Sequence, residues 1–181
     1  MDLKPREIPV AFLEALPEGI KLVTRHGHPY LVMETFVDAE GNDLMDSAVR
    51  IHHEPTVRIR VKAGESEGFV FLDAYWGSHA KLFSFVPDLS RGDVVEASSP
   101  VGGGSLMEDW ECPEPGCGSR RGIRLRLPGG RNAVTVCGRL GCPGHHIDIS
   151  SVPPGVSDTL SNINFFGEGL EIGDDEPFAA F

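Results

Sequence analysis

The chain lacks the long apolar runs that membrane insertion and secretion require. No stretch approaches the roughly 18 apolar residues of a membrane-spanning helix, and residues 1–7 interleave charges where a signal peptide has an apolar segment. These absences predict a soluble, cytoplasmic protein without a membrane partner. Thiols stay reduced in the cytoplasm, so grouped cysteines there are better candidates for metal ligands than for disulfides.

Common enzyme signatures are also absent. The sequence has no Walker-type phosphate loop, no nucleophile elbow and no His-Glu-x-x-His pattern. The glycine run at residues 102–104 lacks the Lys-Ser/Thr pair that would contact a nucleotide, and we interpret it as a hinge. These features favour a protein without enzymatic activity and leave the question open.

Basic charge is scarce, with 16 Lys and Arg against 27 Asp and Glu and a formal net charge of −11. This balance argues against broad attraction to nucleic acid or anionic membranes. The distribution is uneven, however. Residues 1–111 contain 10 basic and 19 acidic side chains, residues 112–146 contain 6 and 1, and residues 147–181 contain 0 and 7. One short segment is therefore basic within an acidic chain.

Helical patterning is nearly absent, and residues 10–16 are the only segment that predicts a helix. From Ile20 onward, short β-branched and aromatic runs alternate with Gly, Pro, Asp and Ser. A hairpin is predicted at residues 21–24 and 30–37, with further strands at residues 48–52, 56–61, 69–73, 81–86 and 94–97. Arg58 and Arg60 alternate with apolar residues and should face solvent. We predict a mainly β protein, with an antiparallel β sandwich or partly open barrel over residues 1–105.

Four cysteines lie in the basic segment as two pairs, each with four intervening residues. The pairs are Cys112 with Cys117 and Cys137 with Cys142, and 19 residues separate them. Zinc takes four thiolate or imidazole ligands in a tetrahedron, and two tight turns that face each other supply two thiolates apiece. The spacing predicts one structural Zn²⁺ per chain.

The connector between the two pairs supports this interpretation. Residues 123–127 and 133–136 alternate or are β-branched, and a Pro-Gly-Gly-Arg-Asn turn joins them. Such a hairpin returns the second pair to the first. We predict a zinc-ribbon hairpin within residues 106–150, with one apolar face and with Arg124 and Arg126 on the other.

Several alternatives remain open for the cysteines. Iron or two disulfides are possible in place of zinc, and His145 or His146 could replace one thiolate. The four-residue turns are longer than the usual two-residue turns of zinc ribbons. Four thiolates leave no coordination position for water or substrate, so hydrolytic zinc chemistry is not expected.

Four motifs accompany the cysteine pairs: Gly68-Phe69-Val70-Phe71-Leu72, Tyr75-Trp76-Gly77-Ser78, Gly92-Asp93-Val94-Val95-Glu96, and the run from Cys137 to His145. With them, approximately residues 57–149 resemble a family of uncharacterised four-cysteine zinc-ribbon proteins of anaerobic bacteria. In that family a Cys-Pro-x-Cys turn follows the Val-Val-Glu strand. The resemblance implies that Ser99-Pro100-Val101-Gly102 is a metal knuckle that has lost its cysteines, the alternative being an ordinary Gly-rich linker. It implies no activity.

Residues 151–181 begin with Pro-Pro-Gly and continue as an acidic stretch that contains Phe165, Phe166, Phe178 and Phe181. We predict a flexible acidic tail without independent structure, whose aromatic side chains could dock on a partner or on the chain itself.

Three roles are compatible with these features. The leading hypothesis is a non-enzymatic binding or accessory protein that docks on a protein partner. The second is nucleic-acid binding through the arginines of the ribbon, which are Arg120, Arg121, Arg124, Arg126, Arg131 and Arg139. The third is a thiol-based redox protein, which would require an accessible cysteine of low pKa.

Two further groups of residues are candidates for metal or ligand sites. Histidines at positions 26, 28, 52 and 53 could form a second metal site or an acid–base centre, although seven histidines in such a chain need no special explanation. A polar and aromatic loop at residues 73–79 could contact a ligand, but we favour packing of Tyr75 and Trp76 over a sheet edge.

Overall fold

The computed structural model describes residues 8–25, 27–78, 80–87 and 94–162, which fold mainly into antiparallel β structure. Two short helices occur in this part of the chain, α1 (Val10–Glu14) and α2 (Pro154–Ser161). The strands are β1 (Ile20–Arg25), β2 (His28–Met33), β3 (Met45–Ile51), β4 (Glu54–Ala63), β5 (Ser66–Leu72), β6 (Lys81–Phe83), β7 (Glu96–Ser98), β8 (Met107–Asp109), β9 (Arg121–Arg126), β10 (Ala133–Cys137) and β11 (His145–Asp148). The predicted mainly β fold is confirmed.

Strands β1 and β2 form the predicted first hairpin, with Leu22 opposite Leu31. The second strand is shorter than expected and ends at Met33. Beyond it, the N–H groups of Glu34 and Thr35 donate to the Gly19 carbonyl, at 2.7 and 3.2 Å, so the chain leaves the ladder at this point.

Strands β3, β4, β5 and β6 form a sheet in this order, and β7 pairs with the later part of β4. The predicted alternation in β4 is confirmed, because Val57, Ile59 and Val61 are at most 1% exposed. On the opposite face the guanidinium carbons of Arg58 and Arg60 lie 5.2 and 5.4 Å from the centroid of the Phe69 ring.

Strands β8 to β11 form a second sheet, in which each strand pairs with the next along the chain. The predicted hairpin of β9 and β10 is present, with Val136 opposite Ile123 and Ala133 opposite Arg126. None of the sheets in the described part of the chain closes into a barrel. The architecture is that of open antiparallel sheets packed on one another.

The two larger sheets share one core. Residues of β4, β9 and β11, among them Ile59, Leu125 and Ile147, belong to a single hydrophobic cluster and are at most 2% exposed. Backbone hydrogen bonds of 2.8 Å also cross between the two halves, from the Val37 N–H to the Arg126 carbonyl and from the Val95 N–H to the Gly138 carbonyl. The ribbon is thus packed against the N-terminal sheet.

The glycine run that we expected to be a hinge lies in a hairpin loop between β7 and β8. Ser98 forms a bridge with Ser105, and the Ser99 N–H donates to the Gly104 carbonyl at 2.8 Å. Gly102 and Gly103 have φ values of 79° and 74°, a region that favours glycine. The hinge prediction was wrong because these glycines provide turn conformations.

Helix α2 falls in the segment that we expected to lack structure. Leu160 is fully buried, and its carbonyl accepts a hydrogen bond of 2.8 Å from Trp76 Nε1. The Ile147 N–H of β11 donates to Ser161 Oγ at 3.0 Å, which fixes the helix on the ribbon. The four phenylalanines of the tail lie outside the described residues. In the part that is described, no helix is long and apolar enough to cross a membrane.

Candidate metal centre

The two cysteine pairs lie at one end of the ribbon sheet because of its meander topology. The first knuckle, residues 112–119, connects β8 to β9, and the second knuckle, residues 137–144, leads from β10 to β11. In a meander, alternate connections fall at the same end of the sheet. The turn between β9 and β10 therefore lies at the opposite end, and the knuckles face each other.

Both knuckles contain the same four-residue turn. The Cys117 N–H donates to the Glu114 carbonyl and the Cys142 N–H donates to the Arg139 carbonyl, each at 3.1 Å. The third residues of the turns, Gly116 and Gly141, have φ values of 78° and 92°. This combination is typical of a type II turn, in which glycine tolerates the positive φ.

The hydrogen bonds that close the two knuckles join equivalent positions in each. The N–H of the first cysteine donates to the carbonyl seven residues later, from Cys112 to Ser119 at 2.9 Å and from Cys137 to Gly144 at 2.8 Å. The β ladders of the flanking strands thus extend into the knuckles. Each knuckle is the tip of its own hairpin.

Backbone N–H groups two residues after each cysteine favour the ionised sulfur. The Arg139 N–H donates to Cys137 Sγ at 3.4 Å. The N–H groups of Glu114, Ser119 and Gly144 act in the same direction, since each opposes the effect of burial by lowering the pKa of the cysteine two residues before it, Cys112, Cys117 and Cys142. Backbone donors stabilise thiolate over thiol. The arrangement therefore suits four ionised sulfurs around a cation, and it was not predicted residue by residue from the sequence.

The sulfur positions fit a tetrahedral metal site. Sγ atoms of Cys112 and Cys142 lie 3.7 Å apart, as do those of Cys117 and Cys137, and all four lie within 4.8 Å of one another. Metal–thiolate bonds of about 2.3 Å in a tetrahedron place the sulfurs about 3.8 Å apart, whereas a disulfide requires about 2.05 Å. The cysteines are free thiols in this structure, and their geometry is compatible with one metal ion.

Crowding of the thiols perturbs their protonation. Burial raises the pKa of Cys112, and burial also raises the pKa of Cys142, to about 11. Burial would raise the pKa of Cys117 as well, but hydrogen bonds from the Ser119 N–H and from the neighbouring thiols outweigh it and lower this pKa. Without a cation the cluster retains protons, which a metal ion would displace.

Gly144 lies so close to the first knuckle that there is no space for a side chain at this position. A Cβ atom there would lie 2.4 Å from Cys112 Sγ, closer than any such contact in proteins. The missing side chain lets the second knuckle approach the first cysteine. Its backbone N–H also favours the ionised form of Cys142, so Gly144 contributes to both knuckles.

The ribbon arginines do not form one free surface. A guanidinium N–H of Arg139 donates to the Cys117 carbonyl and ties the two knuckles together. Arg124 pairs with Glu108 at 3.2 Å, and the same carboxylate accepts from Thr135 at 2.8 Å. Of the six predicted arginines, Arg120 and Arg131 are exposed and the other four are half-buried.

Neither histidine after Cys142 joins the sulfur cluster, whose members within the described chain are the four cysteines. His145 is buried edge-to-face against Trp76, and its Nδ1–H donates to the Pro143 carbonyl at 2.8 Å. His146 Nδ1 lies 2.9 Å from Ser161 Oγ. Both residues therefore have structural contacts with other parts of the protein.

Three of the other candidate residues, His52, Asp73 and Ser78, form a separate polar network, which does not include His28. His52 Nδ1–H donates to Asp73 at 2.8 Å, and Ser78 Oγ donates to the same carboxylate oxygen at 2.6 Å. His52 and His53 occupy a two-residue hairpin turn with φ values of 52° and 67°, which non-glycine residues seldom adopt. His26 and His79 lie outside the described residues.

The aromatic loop packs over a sheet edge, as predicted, and its two rings are buried as well. The Met33 N–H donates to the Ala74 carbonyl and the Trp76 N–H donates to the Leu31 carbonyl, each at 2.8 Å, so the loop pairs with the free edge of β2. Tyr75 and Trp76 are 1% and 6% exposed and belong to the core cluster.

The segment that resembles a lost knuckle has polar contacts of its own. Ser99 is buried, and its hydroxyl donates to Asp38 at 2.7 Å. Asp38 also accepts from the Asn42 side chain and from the N–H groups of Glu40 and Asn42. Burial raises the pKa of Asp38, but these hydrogen bonds outweigh it and lower the pKa to about 2.

Comparison of the chain with protein-family models, with curated proteins and with solved structures finds no significant match.

Proposed function

We propose that the protein is a non-enzymatic zinc-ribbon protein in which Cys112, Cys117, Cys137 and Cys142 hold one structural Zn²⁺. The observation that supports this most directly is the cluster of four sulfurs within 4.8 Å of one another, at separations that fit a tetrahedral thiolate site. A filled tetrathiolate site has no open position for substrate, which is typical of structural zinc. When bound, the ion would join the two hairpin tips into one rigid end of the ribbon.

We further propose that this ribbon is a docking module for a protein partner. Two of the ribbon arginines have partners within the ribbon, Arg124 with Glu108 and Arg139 with the Cys117 carbonyl, which leaves less free charge for a nucleic acid than the sequence predicted. Cys117 is half-buried and has a lowered pKa, but a thiolate coordinated by zinc is a poor nucleophile, so the proposed metal site disfavours a thiol redox role. A metal ion that joins the two knuckles would hold this end of the ribbon sheet in one conformation. A surface of fixed shape is suited to binding a protein partner.

The metal proposal is tested by elemental analysis of the purified full chain by plasma mass spectrometry. We expect about one zinc per chain for the wild type and for Ser47→Ala, an exposed control, and much less for Cys112→Ser. Iron in place of zinc would contradict the choice of metal. No metal, with four thiols titrating in the native protein, would overturn the site.

The docking proposal is tested by affinity purification from the native host with wild type and Cys112→Ser as paired baits. We expect one protein to be recovered in comparable amount with the wild type and to be lost with the variant, and to bind again when purified. Salt-sensitive binding of DNA or RNA fragments by the purified chain would favour the nucleic-acid hypothesis instead.

A further inference from the structure

Lys81 of β6 lies on the inner face of the N-terminal sheet, where it faces the ribbon. It pairs with Leu72 and lines a cavity of about 80 Å³ between the two sheets. The wall of this cavity is mainly apolar, but it also includes Cys137, Cys142 and Arg139. A half-buried lysine from one sheet therefore lines the same cavity as two of the cysteines of the other.

The ammonium group has no carboxylate partner in the described part of the chain, where the ion pairs involve other residues. The acidic residue in the cavity wall is Asp73, whose carboxylate accepts from His52, Ser78 and the Tyr75 N–H. Burial of an uncompensated ammonium is unfavourable. A negative charge in the cavity wall would offset this cost.

The metal-loaded cysteines supply that charge. Four thiolates around a divalent ion carry a net charge of about −2. Lys81 and Arg139 together carry +2, and both line the cavity whose wall includes Cys137 and Cys142. Burial lowers the pKa of Lys81, and the negative charges of Cys142 and Cys137 oppose this effect without outweighing it.

We propose that Lys81 is a positioning residue that supplies, with Arg139, the counter-charge of the metal-loaded centre, so that metal affinity depends on a residue of the N-terminal sheet. This inference rests on the proposed metal site and extends it to a partner from outside the ribbon. It implies that Lys81 has opposite effects in the two states of the protein. The lysine stabilises the metal-loaded form and destabilises the metal-free form.

The test compares Lys81→Met with Lys62→Met, which removes the same charge from an exposed position of β4. Zinc affinity is measured on the full chain by competition with a chelator. We expect about a tenfold or greater loss for Lys81→Met, as is usual for residues that support metal ligands, little change for Lys62→Met, and recovery with Lys81→Arg. The metal-free Lys81→Met protein should melt at the same or a higher temperature than the metal-free wild type.

The outcomes separate this inference from the metal proposal. If the wild type binds no metal, the proposed site fails and the counter-charge role fails with it. If the wild type binds zinc and Lys81→Met binds it equally tightly, the counter-charge role alone is overturned. It is also overturned if Lys81→Met lowers the melting temperature equally with and without metal, because that result indicates a packing role.

Discussion

Single residues explain why the cysteines converge so closely. The turns depend on glycine for positive φ at Gly116 and Gly141, but Gly144 is needed for a different reason, namely the absence of a side chain beside Cys112. The sequence indicated glycine-containing turns. It could not indicate which glycine touches the opposite knuckle, because that contact joins residues 32 positions apart in the chain.

We predict that Gly144→Ala weakens metal binding by at least about tenfold, or about 1.4 kcal/mol, because the new methyl group displaces Cys112 Sγ or the second knuckle. Chelator competition measures the change. Gly104→Ala is the matched control, since a Cβ atom there meets nothing within 4 Å. Equal zinc affinity in both variants would show that the knuckles adjust without cost.

Asp38 gives a pH-dependent prediction at the same scale. Its pKa of about 2 lies below the ordinary value of 3.8, so its hydrogen bonds stabilise the fold above pH 3.8 and lose this effect as the pH falls towards 2. We expect Asp38→Asn to lose on the order of 2 kcal/mol of unfolding free energy at pH 7. The difference from wild type should shrink between pH 4 and 2 in urea titrations. A difference that stays constant over this range would contradict the lowered pKa of Asp38.

Secondary structure elements were predicted unevenly. The β9–β10 hairpin and the alternation of β4 followed from period-two patterns, which depend only on neighbouring residues. The composition of residues 151–181, which begin with Pro-Pro-Gly and continue as an acidic stretch, predicted no structure where helix α2 lies. Proline is compatible with the first turn of a helix, and Pro154 begins this one.

We predict that Leu160→Ala destabilises the protein by about 2–5 kcal/mol, because Leu160 is fully buried where α2 packs on the core. Thermal or urea unfolding gives the value. Thr159→Ala changes the adjacent exposed position of the same helix and should cost less than about 1 kcal/mol. A small effect for both variants would mean that α2 is only loosely attached.

At the scale of the whole molecule, the shared core links the metal centre to the N-terminal sheet. The predicted boundary between the β domain and the ribbon lies at residue 105, because the glycine run there is typical of a linker. Backbone bonds such as Val95 to Gly138 lie across that division, and long-range contacts of this kind leave no local signal in a sequence.

We therefore predict a single cooperative unfolding transition for the metal-loaded protein, because ribbon and sheet bury the same core. Chelation should move this transition to lower temperature without splitting it. Circular dichroism and tryptophan fluorescence, followed together during heating, provide the check. Two separated transitions, of which one responds to chelator, would indicate that the halves unfold independently.

The division of the proposed ligands between two hairpin tips also has a consequence for the order of metal uptake. Cysteines within a knuckle are five positions apart, whereas Cys117 and Cys137 are separated by 20. Joining the nearer pair through a metal would cost about 1 kcal/mol less in loop-closure entropy. We therefore expect an incoming ion to be bound first by the two thiolates of one tip, with the other hairpin closing over it afterwards.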